Sequence, residues 1–355
     1  MRFVPTPCLR PGMIVGRNLY GQNSELLLAE WNVLSEVQII RLKILKFQGI
    51  YIHDEISEDI EVRDMIDSEI RNRLVRSLKE IFVKTENGEF AQNDIVNLKR
   101  MVDDIICEIL TDTDIIYNMM DLKFFDDYTY YHCINVFMLS LIVGLALKLC
   151  RDELFSLGMA AILHDIGKIF VPKKIINKKG RLTDDEFEVI KAHTENGCRY
   201  LKEKWEVSDE SALAVLTHHE KNNGTGYPYR LKADKIPLYG KIIAVSDVYD
   251  ALISDRPYRK AFLPSEAMEY VLGCSGRCFD PEIVETFFRR VMPFPVGTTV
   301  QLSNGMTGVV IENHPENCLR PKVRIISEDK GGTDCYDLLN DKDLLNVTIV
   351  DSFTT

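Results

Sequence analysis

The chain has 355 residues, 46% of them apolar and 27% charged, and a formal net charge of −11. That length allows more than one domain and a sizeable core, while the acidic balance excludes a protein that coats a nucleic-acid polymer or an anionic membrane. Nine cysteines without a CxxC pair fit reduced thiols in a cytoplasmic protein, not a disulfide framework.

No apolar stretch of signal-peptide type follows Met1. Residues 1–56 alternate short apolar runs with turns at Gly12, Gly16 and Gly21, followed by a helix-like stretch, Ser35 to Lys46, and the run Gly49 to Ile52. This pattern predicts a small mixed or β-rich module. Residues 57–118 open charged and loosely heptad-like, which predicts an exposed helical linker or regulatory segment. That segment or the N-terminal module is the expected contact for a second copy of the chain. From Asn93 to Arg290 apolar residues recur every three or four positions, and Thr183-Asp184-Asp185-Glu186 and Pro264-Ser265-Glu266 read as helix starts. Residues 119–292 therefore predict an all-helical domain.

Within that domain, Cys133 to Cys150 is almost wholly apolar, interrupted by Asn135, Ser140, Gly144 and Lys148. Its unbroken part is too short to cross a bilayer core of ~30 Å, so it predicts a buried core helix and no membrane span. After Pro293 the pattern changes to short strands, Thr298 to Leu302 and Pro321 to Ile326, with Ser303-Asn304-Gly305 as a hairpin signal. Residues 293–355 thus predict a small β-rich appendage, and the chain as a whole a mainly α protein.

Five of the seven histidines fall in the helical region. His164-Asp165 closes the apolar stretch Leu154 to Leu163, and burying such a pair bare would cost several kcal/mol. His193 lies on the helical stretch Asp184 to Lys202, His218-His219 closes Ser211 to Thr217, and His132 opens the long apolar helix. Asp247 sits inside the apolar run Ile242 to Val248. Singly, each reads as a hydrogen-bonded core residue. Together, five histidines and two aspartates at helix ends or on apolar helices of one domain make the donor set of a dinuclear site. Nitrogen with carboxylate donors suits iron, manganese, zinc or cobalt better than calcium, and a shared carboxylate, which Asp165 could supply, holds two ions ~3.5–4 Å apart. His53 and His314 lie outside the domain and read as surface residues.

The same residues carry a resemblance to the HD-GYP phosphodiesterases. His164-Asp165 resembles the HD signature, and His218-His219-Glu220-Lys221-Asn222-Asn223-Gly224-Thr225-Gly226-Tyr227-Pro228 resembles the second motif. Ala244 to Leu252, Ser254 to Arg259 and Phe279-Asp280-Pro281 are similar to later motifs, so the resemblance covers about residues 120–292. The segment from Leu9 to Met13 also resembles a module that precedes such domains.

The resemblance implies hydrolysis of the bacterial second messenger cyclic di-guanylate to the linear dinucleotide, and onward to GMP, by a hydroxide bridging two metal ions, iron or manganese. It implies His132, His164, Asp165 and Asp247 on one ion and His193, His218 and His219 on the other, with Asp165 shared. Catalysis would rest on Asp165 and Lys168. Substrate would be held by Lys168, Asp250, Arg256, Arg259, Gly226 and Tyr227, arginine offering a planar fork to phosphate or guanine.

Two positions depart from the family pattern. Some members bind a third metal through a glutamate one helical turn before the first histidine; here that position is Tyr128, with Asp126 and Asp127 out of register, which implies two metals. Asn223 stands where aspartate is usual, and Asn-Gly supports the same turn. Two further readings stay open at this stage. One is a phosphodiesterase for another cyclic dinucleotide, such as hybrid GMP-AMP, and the other is a catalytically slow, metal-bound sensor.

Overall fold

The computed structural model describes residues 1–21, 25–45, 47–62, 66, 68–89, 91–111, 128–178, 180–254, 261–326 and 334–352. Helices dominate, flanked by a small antiparallel sheet at each end of the chain. The mainly α expectation holds.

The N-terminal module forms β1 (Arg2–Pro5), β2 (Ile14–Val15), the hairpin β3 (Leu19–Tyr20) and β4 (Leu26–Leu28), α1 (Glu36–Ile44) and β5 (Gly49–His53). β5 runs antiparallel between β1 and β2, with Phe3 opposite Tyr51 and Val15 opposite Ile52. Ser35 caps α1 reciprocally with Gln38, satisfying two backbone donors that the first turn would leave orphaned. Ile39 and Leu42 turn inward, whereas Val37, Ile40 and Ile44 stay exposed on the outer face.

The described residues between 68 and 111 differ from the expected exposed linker. Here α2 (Ser68–Glu86) and α3 (Gln92–Thr111) place Leu74, Val75, Leu78, Ile81 and Phe82, and Ile95, Leu98, Val102, Ile105, Ile106 and Ile109, in one continuous core with the helices that follow. Those apolar positions recur at three, four and seven residues, which builds one stripe on each helix. The charged majority of each sequence is the opposite, solvated face. The heptad-like pattern that suggested a partner helix is satisfied inside the chain.

The centre of that core is α4 (Tyr128–Ala146). Its stretch Thr129–Ala146 is long and apolar enough to cross a membrane by composition, yet Cys133, Ile134, Val136 to Leu139 and Leu141 to Val143 are buried by neighbouring helices. Around it lie α5 (Arg151–Ile162), α6 (Lys173–Ile176), α7 (Asp184–Lys191), α8 (His193–Tyr200), α9 (Asp209–Thr217), α10 (Leu238–Ile253), α11 (Pro264–Gly273) and α12 (Pro281–Arg290). Thr183 and Glu186 form the expected capping box of α7. The single helical stretch read from Asp184 to Lys202 is instead broken at Ala192 and ends in a π turn, Leu201–Trp205.

The C-terminal strands β6 (Thr299–Leu302), β7 (Thr307–Glu312), β8 (Lys322–Ile325), β9 (Cys335–Asp337) and β10 (Ile349–Ser352) form a sheet in the order β10-β6-β7-β8-β9. Gly305, at φ +83°, makes the β6–β7 turn that Asn-Gly signals. This sheet meets the N-terminal module. Phe3, Tyr51, Ile60, Val62 and Val309 share a small core, and Thr299 Oγ1 donates to the Phe3 carbonyl at 2.7 Å. Arg324 grips both oxygens of Asp59 at 2.6 and 2.7 Å and donates to the Ile56 carbonyl.

If α2 belongs to the main core, Leu78→Ala should destabilise the whole helical domain by about 2–5 kcal/mol, the cost of a large-to-small change at a fully buried site. Denaturant unfolding followed by far-UV circular dichroism measures this. A change below about 0.5 kcal/mol, as at an exposed position, would show that the segment is a linker after all.

Candidate metal centre

The structure brings His132, His164, Asp165, His193, His218, His219 and Asp247 into one buried cluster. His132 comes from α4, His164 and Asp165 from just beyond α5, His193 from the start of α8, His218 and His219 from just beyond α9, and Asp247 from α10. Three subsets offer donor atoms within 4.8 Å of one another: His193, His218 and His219; His132, His164 and Asp247; His164, Asp165 and His218.

Local backbone chemistry aims these rings. The last four carbonyls of a helix lack intrahelical partners, and three of the histidines use one each. His164 Nδ1 meets the Ala161 carbonyl at 2.8 Å, His193 Nδ1 the Ile190 carbonyl at 2.6 Å, and His218 Nδ1 the Val215 carbonyl at 2.7 Å. A carbonyl oxygen only accepts, so Nδ1 carries the hydrogen and Nε2 presents a lone pair in each neutral ring. These Nε2 atoms point inward. Those of His193 and His218 lie 3.4 Å apart, and neither His164 Nε2 nor Asp165 Oδ1 has a hydrogen-bond partner among the described residues although both are buried. Lone pairs facing one another without a hydrogen between them repel. A cation between them removes the repulsion, so the donor set fits a metal site.

Asp165 stands between the subsets. Its Oδ2 is 3.4 Å from His164 Nε2 and 3.9 Å from His132 Nε2, and its Oδ1 is 3.6 Å from His193 Nε2. Asp247 Oδ1 lies 3.1 Å from His132 Nε2, and Asp247 Oδ2 3.8 Å from His219 Nδ1. Lys168, in the 3-10 turn Ile166–Phe170, donates to Asp165 Oδ2 at 2.6 Å and stays about a third exposed. Burial pushes the Asp165 carboxyl up, but Lys168 and His164 outweigh it and hold the group well below the usual carboxylate range. The same contest leaves Asp247 lowered as well, because burial is outweighed by its contact with His132 and by the positive charge that His219, His132 and His164 carry when protonated. Burial lowers His193 to about 4 and His219 to about 3, and pushes His218 down too.

Glycines set how closely these pieces approach. A Cβ on Gly167 would run into the His193 carbonyl and lie 2.7 Å from the Gly197 nitrogen, so only glycine lets the turn after His164-Asp165 seat against α8. Gly226 is equally tight against the backbone of His219, Glu220 and Lys221. Tyr227, next in the chain, tilts over the His219 ring at 4.7 Å and donates its N–H to the His219 carbonyl at 3.2 Å.

Two residues carried no role in the sequence reading, and one needs a correction. Asp250, read from the resemblance as a substrate contact, is fully buried. Its Oδ2 accepts from His132 Nδ1 at 2.6 Å and its Oδ1 from Asn135 Nδ2 at 2.7 Å. Oδ2 thus orients His132 while Asn135 holds Oδ1, the arrangement by which a carboxylate behind a ligating imidazole fixes its ring. Asn135 was visible only as a polar interruption of the apolar run; its spacing of three from His132, on one helix face, was the available signal. Glu220 was noticed only as motif text. It is buried and accepts from the backbone N–H of Tyr229 and Leu231 at 2.7 and 2.9 Å, which ties down the loop bearing Gly226 and Tyr227. Arg256, Arg259, Asp126 and Asp127 lie outside the described residues. His53 and His314 are only part-exposed; His53 stacks on Trp31 and His314 pairs with Asp337 at 3.0 Å.

A family profile described as an HD domain matches residues 120–283, and one described as a KOW domain associated with the HD domain matches residues 299–354. The chain is 38% identical over 232 residues to a cyclic di-GMP phosphodiesterase of Pseudomonas aeruginosa, covering 65% of this chain and 56% of that protein. It is 35% identical over 223 residues to a cyclic di-GMP phosphodiesterase of Thermotoga maritima, covering 62% of this chain and 57% of the relative. The chain therefore spans little more than half the length of these relatives. An HDG"Y"P protein from Bdellovibrio bacteriovorus aligns with a TM-score of 0.53 at 17% identity, over 80% of this chain and 97% of that one, a likeness of fold. Residues 120–283 are thus similar to HD domains in sequence, and the chain shares a fold with the Bdellovibrio protein.

Two outcomes test the site. Asp250→Ala should leave the helical circular dichroism in place and weaken metal binding by about 10–100-fold, the usual cost of removing such a carboxylate; equilibrium metal titration reads this, and an unchanged affinity would refute the orienting role. For chelator-treated protein, the unfolded chain takes up protons near pH 6.5 that the buried imidazoles of His193 and His219 refuse until about pH 4 and 3. Stability should thus be full above pH 6.5 and fall as pH drops below it. Thermal unfolding temperatures that stay flat from pH 7 to 4.5 would contradict this burial.

Proposed function

We propose that this chain is a metal-dependent phosphodiesterase that hydrolyses cyclic di-guanylate to the linear dinucleotide. One observation carries the reading. Inward-facing imidazole lone pairs converge on the buried Oδ1 of Asp165, unpartnered among the described residues, which supports a cation-binding site. In this assignment His132, His164, Asp165 and Asp247 hold one ion and His193, His218 and His219 the other, with Asp165 shared. The two curated relatives compared above bear the name of this activity.

Bound divalent ions, iron or manganese, would supply Lewis-acid charge and a water nucleophile of lowered pKa. The chain's residues do the rest. Water attacks one phosphorus and a ribose 3′ oxygen departs, which opens the macrocycle. Lys168 keeps Asp165 ionised and, part-exposed at the centre's edge, has further N–H groups to offer a non-bridging phosphate oxygen as negative charge grows there. Asp250 and Asn135 hold the His132 ring in place. Tyr227 shields the His219 face from water, and Arg256 and Arg259 provide planar forks for phosphate or guanine.

The decisive assay is turnover by anaerobically purified protein supplied with iron or manganese. Cyclic di-guanylate, cyclic di-adenylate and the hybrid GMP-AMP are compared as substrates. Preferential cleavage of cyclic di-guanylate is expected; cleavage confined to another dinucleotide would reassign the substrate, and none at all with two metals bound would leave a sensor. Lys168→Ala should lower kcat by about 10²–10³-fold, the range for losing one donor to a developing oxyanion, with metal content retained. Asp165→Ala should lose both activity and bound metal, and a fully active Asp165→Ala protein would remove the shared carboxylate from the scheme.

A further inference from the structure

We infer that Phe187 is a stacking platform for one nucleobase of the bound cyclic dinucleotide, an inference that rests on the function proposed above. α7 has no buried residue, and its last turn supplies the Ile190 carbonyl that orients His193. The helix thus lies along the rim of the metal centre. On it Phe187 keeps 43% of its surface open to solvent. A single exposed aromatic ring is ordinary on a protein surface; this one continues a row of rings that begins at the metal ligands.

His219 is covered by Tyr227 at 4.7 Å, and Tyr227 meets Phe187 edge to face at 6.2 Å and 80°. Lys191, one turn along α7, sets its ammonium 4.7 Å from the Phe187 ring and 5.7 Å from the Tyr227 ring, which ties the two aromatics together through a cation–π contact. Its charge is partly offset by Glu188 at 2.6 Å. The open part of Phe187 therefore sits on a fixed ring, outward from the cluster, at the distance of one further aromatic layer.

A phosphate held at the centre carries its sugar and base outward by a comparable distance. Every nucleobase has a π face, so a bare phenyl ring gains binding from stacking without reading the base's edge. Phe187 thus contributes affinity, while selection between guanine and adenine falls to polar groups elsewhere in the site.

The test is calorimetric titration of manganese-loaded protein with a phosphorothioate analogue of cyclic di-guanylate that resists hydrolysis. Phe187→Ala should weaken binding about tenfold, the scale of losing one base–aromatic stack, at unchanged metal content. Phe187→Trp should restore affinity, and Phe187→Leu, which keeps apolar bulk without a π face, should not. Binding by Phe187→Ala within twofold of the wild type, or full affinity in Phe187→Leu, would overturn the platform. If the wild type binds the analogue yet cleaves no cyclic dinucleotide, the enzymatic reading fails and the platform is still judged by these ratios. Absence of binding by the wild type overturns both.

Discussion

Three helices, α5, α7 and α9, end at the candidate metal centre, and at each end a last-turn backbone carbonyl takes the Nδ1 hydrogen of a histidine one or two residues past the helix. This one interaction does several things at once. It gives a helix-end carbonyl a side-chain donor, selects the tautomer, and turns Nε2 toward the common centre. It also gathers the partially negative ends of three helix dipoles around that centre, where a positive charge is favoured. The aspartates then compensate the charge and divide the cluster into two halves.

Keeping those helix ends together is a matter of close backbone approach. Gly167 lets the turn behind His164-Asp165 touch the carbonyl of His193, and Gly226 lets the loop behind His218-His219 fold onto its own start. Glu220 then anchors that loop by accepting two backbone hydrogens in a buried setting, where an unpaired carboxylate would be costly. The rings of Tyr227 and His219 are brought face to face as a result. Packing on the scale of single atoms thus determines electrostatics on the scale of the whole site.

Much of this was legible in the residues. Periodicity and caps located the helices, and the order of His132, His164-Asp165, His193, His218-His219 and Asp247 along the chain pointed to one constellation that the fold assembles. What periodicity could not convey was partnership. The stripe on α2 and α3 looks the same whether it faces another chain or α4 and α5, and only the three-dimensional arrangement shows that it is used internally. Asp250 was misread for a related reason. A carboxylate three residues after Asp247 on one helix face can look outward to solvent or back to a neighbouring imidazole, and the choice depends on α4, which lies more than a hundred positions earlier. The break at Ala192 was hidden because each half of that stretch has good helical spacing on its own.

The shared core of α2, α3 and α4 also bears on how such a chain can be cut and recombined. The HD-domain profile begins at residue 120, as if the matched unit were separable there. Yet Leu74 and Leu78 of α2, which packs on the helix that carries His132, share one core with Leu98, Val102 and Ile105 of α3, which packs on α5. A fragment starting at that boundary would expose a long apolar trough, and the helix holding the first ligand would lose its backing. The inheritable module is consequently larger than the sequence signature. The two helices α2 and α3 are thus part of the scaffold on which the His132 helix rests.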